Sequence, residues 1–77
     1  MQENGTGKTI EQILRIIRAG GGVTFDASGK VTSQLVTVAE AAARAGVTVT
    51  LLNVGDKPTD QLERIASAGK GRVVLGV

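Results

Sequence analysis

Three segments of the chain align with one another without gaps, and this internal repetition constrains the fold more than any other feature of the sequence. Each segment begins at an Asn or Asp, carries a Lys four residues later, and carries a Gln four residues after the Lys. These positions are Asn4, Asp26 and Asn53 for the first, Lys8, Lys30 and Lys57 for the second, and Gln12, Gln34 and Gln61 for the third. The periods of 22 and then 27 residues fall in the range of repeat proteins. We therefore interpret residues 1–77 as a single repeat domain, with repeats at approximately 4–25, 26–52 and 53–77.

Each repeat predicts a helix, a glycine turn and a β-strand. Apolar residues recur at helical spacing around each Gln, which is typical of a helix that buries one face. The inward positions are Ile10, Ile13, Leu14 and Ile17 in the first helix, Leu35, Val38, Ala39 and Ala42 in the second, and Leu62, Ile65, Ala66 and Gly69 in the third. We expect a left-handed glycine just past each helix, at Gly20, Gly46 and Gly69. Runs rich in β-branched residues then predict strands at 23–26, 47–53 and 72–75.

These elements predict a short two-layer α/β solenoid of three repeats, with parallel strands in sequence order and helices on one face. Strand–helix–strand connections are right-handed in nearly all cases, so consecutive repeats place every helix on the same side of the sheet. A strand covered on both faces reads as a continuous apolar run, whereas residues 47–51 alternate between apolar residues and threonine. The other sheet face is therefore expected to be uncovered. The residues that we expect on this candidate interaction face are Thr24, Thr48, Thr50 and Arg72.

The register between the first two strands is left open by the sequence. Alignment through Asn53 pairs Phe25 with Leu52, whereas the alternation of the second strand pairs Phe25 with Leu51. A bulge in the longer repeat would reconcile the two pairings.

With this order of elements, the chain resembles leucine-rich repeats of the kind that alternates strands and helices. The resemblance rests on the repeat length, the strand–helix order, and the Asn or Asp at each strand end (Asn4, Asp26 and Asn53). Val and Thr stand where Leu is usual in that family, and Asn53 follows Leu51 by two residues rather than three. The resemblance implies an α/β repeat geometry in which these Asn side chains bind the backbone of the neighbouring coil.

The composition excludes several kinds of chemistry. The chain has no Cys and no His, which rules out a disulfide, a zinc site of the usual kind, and any nucleophilic triad that needs either residue. With one Phe and neither Trp nor Tyr, it lacks aromatic platforms for stacking nucleic-acid bases. Nine basic and seven acidic residues are interspersed, and no apolar run is long enough for a membrane span. We expect a cytoplasmic protein that is not an enzyme, has no cofactor, and binds neither membranes nor nucleic acid.

The segment from Gly5 to Thr9 is similar to the end of a phosphate-binding P-loop, in which backbone N–H groups at a helix start cradle phosphates. Phosphate or nucleotide binding is therefore an alternative function. However, Gln2 stands where that motif requires a Gly, and the same Gly-Lys step recurs at Gly29-Lys30. The repeat thus accounts for the motif, and whether the Lys8, Lys30 and Lys57 row binds anything is left open.

The function that the sequence favours is a non-enzymatic repeat scaffold for protein–protein interaction or self-assembly. The outer strands of an open sheet expose unpaired N–H and C=O groups, which can pair with another chain. Solenoids normally carry polar capping repeats, and none is recognisable in this sequence. We therefore expect the partner to be the chain itself, as a homo-oligomer or a domain swap, or another protein.

Overall fold

The computed structural model describes residues 9–77, which form three helices that alternate with three strands. In chain order these are α1 (Ile10–Arg18), β1 (Val23–Asp26), α2 (Thr32–Ala45), β2 (Val49–Leu52), α3 (Thr59–Gly69) and β3 (Val73–Leu75). The strands pair in parallel in the order β1-β2-β3. The predicted α/β class, with parallel strands in sequence order, is therefore confirmed.

The pairing between β1 and β2 settles the register that the sequence left open. Phe25 lies opposite Leu51, as the alternation of the second strand predicts. Strand β2 is shorter than the predicted 47–53 at both ends. At its start, the N–H of Val47 still donates to the carbonyl of Ala42 at 3.1 Å and belongs to the end of α2. At its end, Asn53 adopts a left-handed conformation with φ of 64°, which turns the chain out of the strand.

The glycines that were expected to follow the helices behave differently from one another. Gly46 and Gly20 follow α2 and α1 with φ of 73° and 99°, as predicted. The prediction for Gly69 is wrong, because Gly69 is the buried last residue of α3 and the left-handed backbone follows at residues 70 and 71. A Cβ atom at Gly69 would overlap Cγ2 of Val73. Glycine is needed at this position because α3 and β3 approach each other closely.

The core lies between a single layer of helices and one face of the sheet. From the sheet, Val49 and Leu51 are fully buried, and from the helices so are Leu35 and Val38. Helix α2 packs against both α1 and α3. The residues predicted to face inward on the helices are buried or half-buried with one exception, Ala66, which is exposed.

Candidate protein-interaction surface

The sheet presents one uncovered face, on which the middle residues of the three strands form a row. Thr24 lies beside Thr50, which in turn lies beside Val74. Side chains alternate between the two faces of a strand, so this row points away from the helices that cover Val49 and Leu51. Thr24 is exposed and Thr50 is half-buried. Both threonines therefore lie where the sequence predicted them.

Thr48 and Arg72 extend this face at the start of β2 and β3. They come immediately before the two strands, and both side chains are exposed. The N–H of Val49 donates to the carbonyl of Arg72 at 2.9 Å, which holds the beginnings of the two strands side by side. All four predicted residues thus come together on one face, and their role in binding stays a prediction.

Two apolar side chains on the same face were not among the predicted residues. Val74 is 50% exposed, and Leu52 is 39% exposed. Leu52 follows Thr50 by two residues and Val74 follows Arg72 by two, so extending the alternation would have identified both. They add apolar surface to a face that otherwise presents hydroxyl groups, one cation and, opposite Leu52, the carboxylate of Asp26.

The outer edge of β3 pairs with no strand in the described part of the chain. The N–H of Gly76 donates to Leu51 at 2.7 Å, and the carbonyl of Arg72 accepts from β2, so residues 72 and 76 direct these groups inward. Backbone groups of successive residues in a parallel strand point to opposite sides. Val73 and Leu75 therefore direct their N–H and C=O groups to the open side.

The outer edge of β1 is likewise unpaired with any strand within residues 9–77. The N–H of Ala27 donates to the carbonyl of Leu52 at 2.9 Å, so residue 27 faces β2. By the same alternation, Thr24 directs its N–H and C=O groups away from β2. Within residues 9–77, the sheet thus has two open edges whose outward backbone groups pair with no strand.

Polar contacts join the two loops that follow β1 and β2. Nδ2 of Asn53 donates to Oδ1 of Asp26 at 3.1 Å, and Nζ of Lys57 donates to the carbonyl of Lys30 at 2.9 Å. Each contact joins residues 27 positions apart, which are aligned positions of the second and third segments in the internal sequence alignment. Asn53 binds the carboxylate of the neighbouring loop, where the leucine-rich-repeat resemblance implies the backbone. Lys57, half-buried, is engaged in holding the loops together.

Asp26 is the centre of this loop contact. Its carboxylate accepts hydrogen bonds from the hydroxyl of Ser28 at 2.7 Å and the N–H of Ser28 at 2.9 Å, in addition to Asn53. These bonds, with the Ser28 hydroxyl first, hold the pKa of Asp26 below its ordinary value, and the charge of Lys30 lowers the pKa further. The carboxylate is therefore ionised at neutral pH and acts as a fixed acceptor.

The three aligned glutamines do not make the same contact. Gln12 and Gln34 accept hydrogen bonds from the backbone N–H three residues before each of them, at 3.0 and 3.3 Å. Pro58 occupies that position before Gln61 and has no N–H to donate. Gln61 instead accepts from the hydroxyl of Thr32 in the preceding repeat at 2.7 Å. Gln61 thus lacks the local contact that Gln12 and Gln34 make and forms one with the preceding helix instead.

The nucleotide-binding alternative lies almost wholly outside the described residues, which exclude Asn4, Lys8 and the segment from Gly5 to Lys8. Thr9 is described, and its Oγ1 accepts from the N–H of Gln12 at 3.1 Å, so that it caps α1. The hydroxyl of Thr9 therefore has a structural role at the helix start. Phosphate binding by the segment stays a prediction.

Residues 9–77 contain no helix that is long and apolar enough to cross a membrane. The resemblance to leucine-rich repeats stays a prediction, as does any function inferred from it. Comparison with known proteins found no family model that matches the chain, and neither a curated protein nor a solved structure that matches it.

Proposed function

We propose that the chain is a non-enzymatic α/β repeat unit that binds another protein chain, foremost a second copy of itself, through the open edges of its sheet. The observation that carries this proposal is the pair of unpaired parallel edges at β1 and β3. Exposed strand edges are templates for pairing, and proteins usually protect them with charges, prolines or covering segments. Neither β1 nor β3 contains Lys, Arg or Pro, and the one charged side chain in the two strands, Asp26, is bound by Ser28 and Asn53.

The uncovered sheet face supports the same function. Val74 exposes apolar surface on the edge strand β3, and Leu52 exposes apolar surface on the central strand β2. A strand added at either edge brings a partner side chain next to this face, because neighbouring strands lie about 4.8 Å apart. Edge pairing would therefore be accompanied by burial of apolar surface.

The proposal includes a solenoid of repeats similar to leucine-rich repeats. The bonds from Asn53 to Asp26 and from Lys57 to Lys30 support it, since they join aligned positions of successive repeats. In a solenoid each repeat contacts only its neighbours, so the first and last helix–strand units within residues 9–77 have a neighbour on one side. Assembly through those ends is what this architecture favours.

The experiment that tests edge pairing replaces Thr24 with Pro. The N–H of Thr24 points to the open side of β1, so the proline removes a donor for a partner strand but no donor to β2, and proline is tolerated on edge strands. The average mass of the wild type, measured by light scattering across a concentration series, should rise above that of one chain. Thr24→Pro should remain monomeric over the same series.

Thr24→Val is the matched control, because it keeps the N–H, the β-branched shape and the exposed position. It should associate as the wild type does. Circular dichroism at low concentration establishes that each variant is folded. If the wild type has the mass of a single chain at every concentration, self-assembly is refuted. If Thr24→Pro associates as strongly as the wild type, the edge of β1 is not the site of association.

A further inference from the structure

The first and the last helix expose residues that the middle helix buries. Two sets of aligned positions show this, namely Ile16, Val38 and Ile65 in one set and Ile17, Ala39 and Ala66 in the other. In the first set the α2 and α3 residues are fully buried, whereas Ile16 in α1 is 39% exposed. In the second set the α1 and α2 residues are fully buried, whereas Ala66 in α3 is exposed.

This difference follows from the position of each helix in the layer. Helix α2 has a neighbour on both flanks, whereas α1 and α3 each have one neighbour among the described residues. The exposed flank of α3, which carries Ala66, aligns with the flank of α2 that carries Ala39. The exposed flank of α1, which carries Ile16 and Ala19, aligns with the flank of α3 that carries Ile65 and Ala68 and packs on α2. The exposed flanks of α1 and α3 therefore correspond in sequence to the two flanks that face each other in the contact between α3 and α2.

Charges distinguish this outer pair of flanks from the inner one. In the groove between α2 and α3, Arg64 lies with Val36, and Asp60 and Glu63 of α3 also line the solvent side of this groove. The residue of α1 that aligns with Arg64 is Arg15, and the residue of α3 that aligns with Val36 is Glu63. Both Arg15 and Glu63 are exposed. If α1 of a second copy packed on α3 as α3 packs on α2, opposite charges would meet across the junction.

The same displacement continues the sheet. It places β1 of the second copy beside β3, with Thr24 opposite Val74, as Val74 lies opposite Thr50 within one chain. The N–H of that Thr24 then faces the carbonyl of Val73, and its carbonyl faces the N–H of Leu75. The groups that meet are those that each open edge directs outward. One placement of the second copy therefore makes both contacts, the packing of α1 on α3 and the pairing of β1 with β3.

We propose that the partner of the open ends is a second copy of this chain, docked head to tail, with α1 and β1 of one copy on α3 and β3 of the next. The proposal rests on the function proposed above and specifies its partner and geometry. The two contacting surfaces differ, so the arrangement leaves a free α1 and a free α3 at the ends of every open assembly. Its mass should therefore continue to grow with concentration unless the rotation closes a ring.

Charge reversal at the junction tests the geometry. Arg15→Glu places a second carboxylate against Glu63 of the next copy, and Glu63→Arg places a second guanidinium against Arg15 of the next copy. Each variant alone should raise the dissociation constant by about tenfold, because like charges across an interface oppose association. A mixture of the two restores opposite charges at the junctions between unlike variants. The mixture should therefore associate more tightly than either variant alone, as measured by sedimentation velocity.

Two variants on α2 serve as matched controls. Arg44→Glu makes the same charge change in the last turn of a helix, and Glu40→Arg makes the reverse change on an exposed helix surface. Both lie away from the outer flanks and should associate as the wild type does. Circular dichroism at low concentration confirms the folding of all four variants, whose substituted side chains are exposed in the structure.

The outcomes separate this inference from the proposed function. A wild type that stays monomeric overturns both. A wild type that associates while Arg15→Glu and Glu63→Arg associate equally well overturns the head-to-tail arrangement alone. Weaker association of only one of the two variants shows that Arg15 and Glu63 do not meet across the junction and also overturns it. Weaker association of each variant alone, with tighter association in the mixture, supports head-to-tail docking.

Discussion

Gly69 offers a test of how tightly the helix layer lies on the sheet. It is the last residue of α3 and is buried. A Cβ atom at this position would overlap Cγ2 of Val73 and would lie 3.1 Å from Cβ of Val73 and 3.5 Å from Cβ of Ala39. Replacing Gly69 with Ala therefore sets two effects against each other. Alanine favours the helix by about 1 kcal/mol, while overpacking a core typically costs about 1–3 kcal/mol.

The structure places the steric cost at the upper end of that range. Val73 is β-branched, so its χ1 angle is stiff, and a rotation that moves Cγ2 away leaves Cβ too close. Its backbone is fixed by the bond between Arg72 and Val49 in the parallel pair. With a cost of about 3 kcal/mol and a gain of about 1 kcal/mol, Gly69→Ala should lose about 2 kcal/mol of the free energy of unfolding. The corresponding fall in Tm is roughly 10 °C for a domain of this size.

Urea denaturation followed by circular dichroism, at a concentration where the chain is monomeric, measures this loss. Gly71→Ala is the control, because a Cβ atom there meets nothing within 4 Å and the substitution tests only the left-handed φ of 87°. It should cost about 1 kcal/mol. In a double-mutant cycle, Val73→Ala should recover part of the Gly69→Ala loss, since it removes the overlapping Cγ2. A Gly69→Ala variant as stable as the wild type would refute the close approach of α3 and β3.

Two further predictions concern the contacts between successive loops. Lys57→Met keeps the aliphatic stem but removes the donor to the Lys30 carbonyl. We therefore expect the free energy of unfolding, measured by urea denaturation, to fall by about 1 kcal/mol. Lys70 is exposed, so Lys70→Met is a control that should change the free energy of unfolding little. For Asp26, the folded pKa lies below the unfolded value of about 3.9, so its contribution to stability is present above that pH and is lost as the pH falls through the folded pKa. Asp26→Asn should therefore lose less stability than the wild type between about pH 5 and pH 2, and an equal loss in both proteins would contradict the role of the carboxylate.

The sequence predicts the α/β class, the order of the strands and most of the inward-facing positions, because these depend on periodicity within one element. Strand β1 matches its predicted bounds, and the alternation of β2 correctly pairs Phe25 with Leu51. The bounds of β2 fail for a different reason. The N–H of Val47 is used to close α2, and Asn53 takes up a left-handed turn, neither of which residue type alone indicates.

The candidate surface is predicted in part for the same physical reason. Thr24 and Thr50 alternate with apolar residues in their strands, so the sequence predicts that they point away from the core. Val74 and Leu52 share that direction but are apolar, and apolar residues are normally assigned to the core. The alternation from Thr50 and Arg72 places them on the uncovered face, and the pairing of the strands agrees with it.

Ala66 marks the limit of what a periodic pattern can predict. It aligns with Ala39, and both residues occupy the same position in their repeats, yet Ala39 is fully buried and Ala66 is exposed. The difference lies in what stands beside each helix, since α3 covers the flank of α2 but no helix within residues 9–77 covers the outer flank of α3. The pattern therefore specifies burial for a helix with two neighbours. An end helix that keeps the pattern of a middle helix has a surface suited to one more neighbour, and under the head-to-tail proposal the flank of α1 that carries Arg15 supplies that neighbour from a second copy.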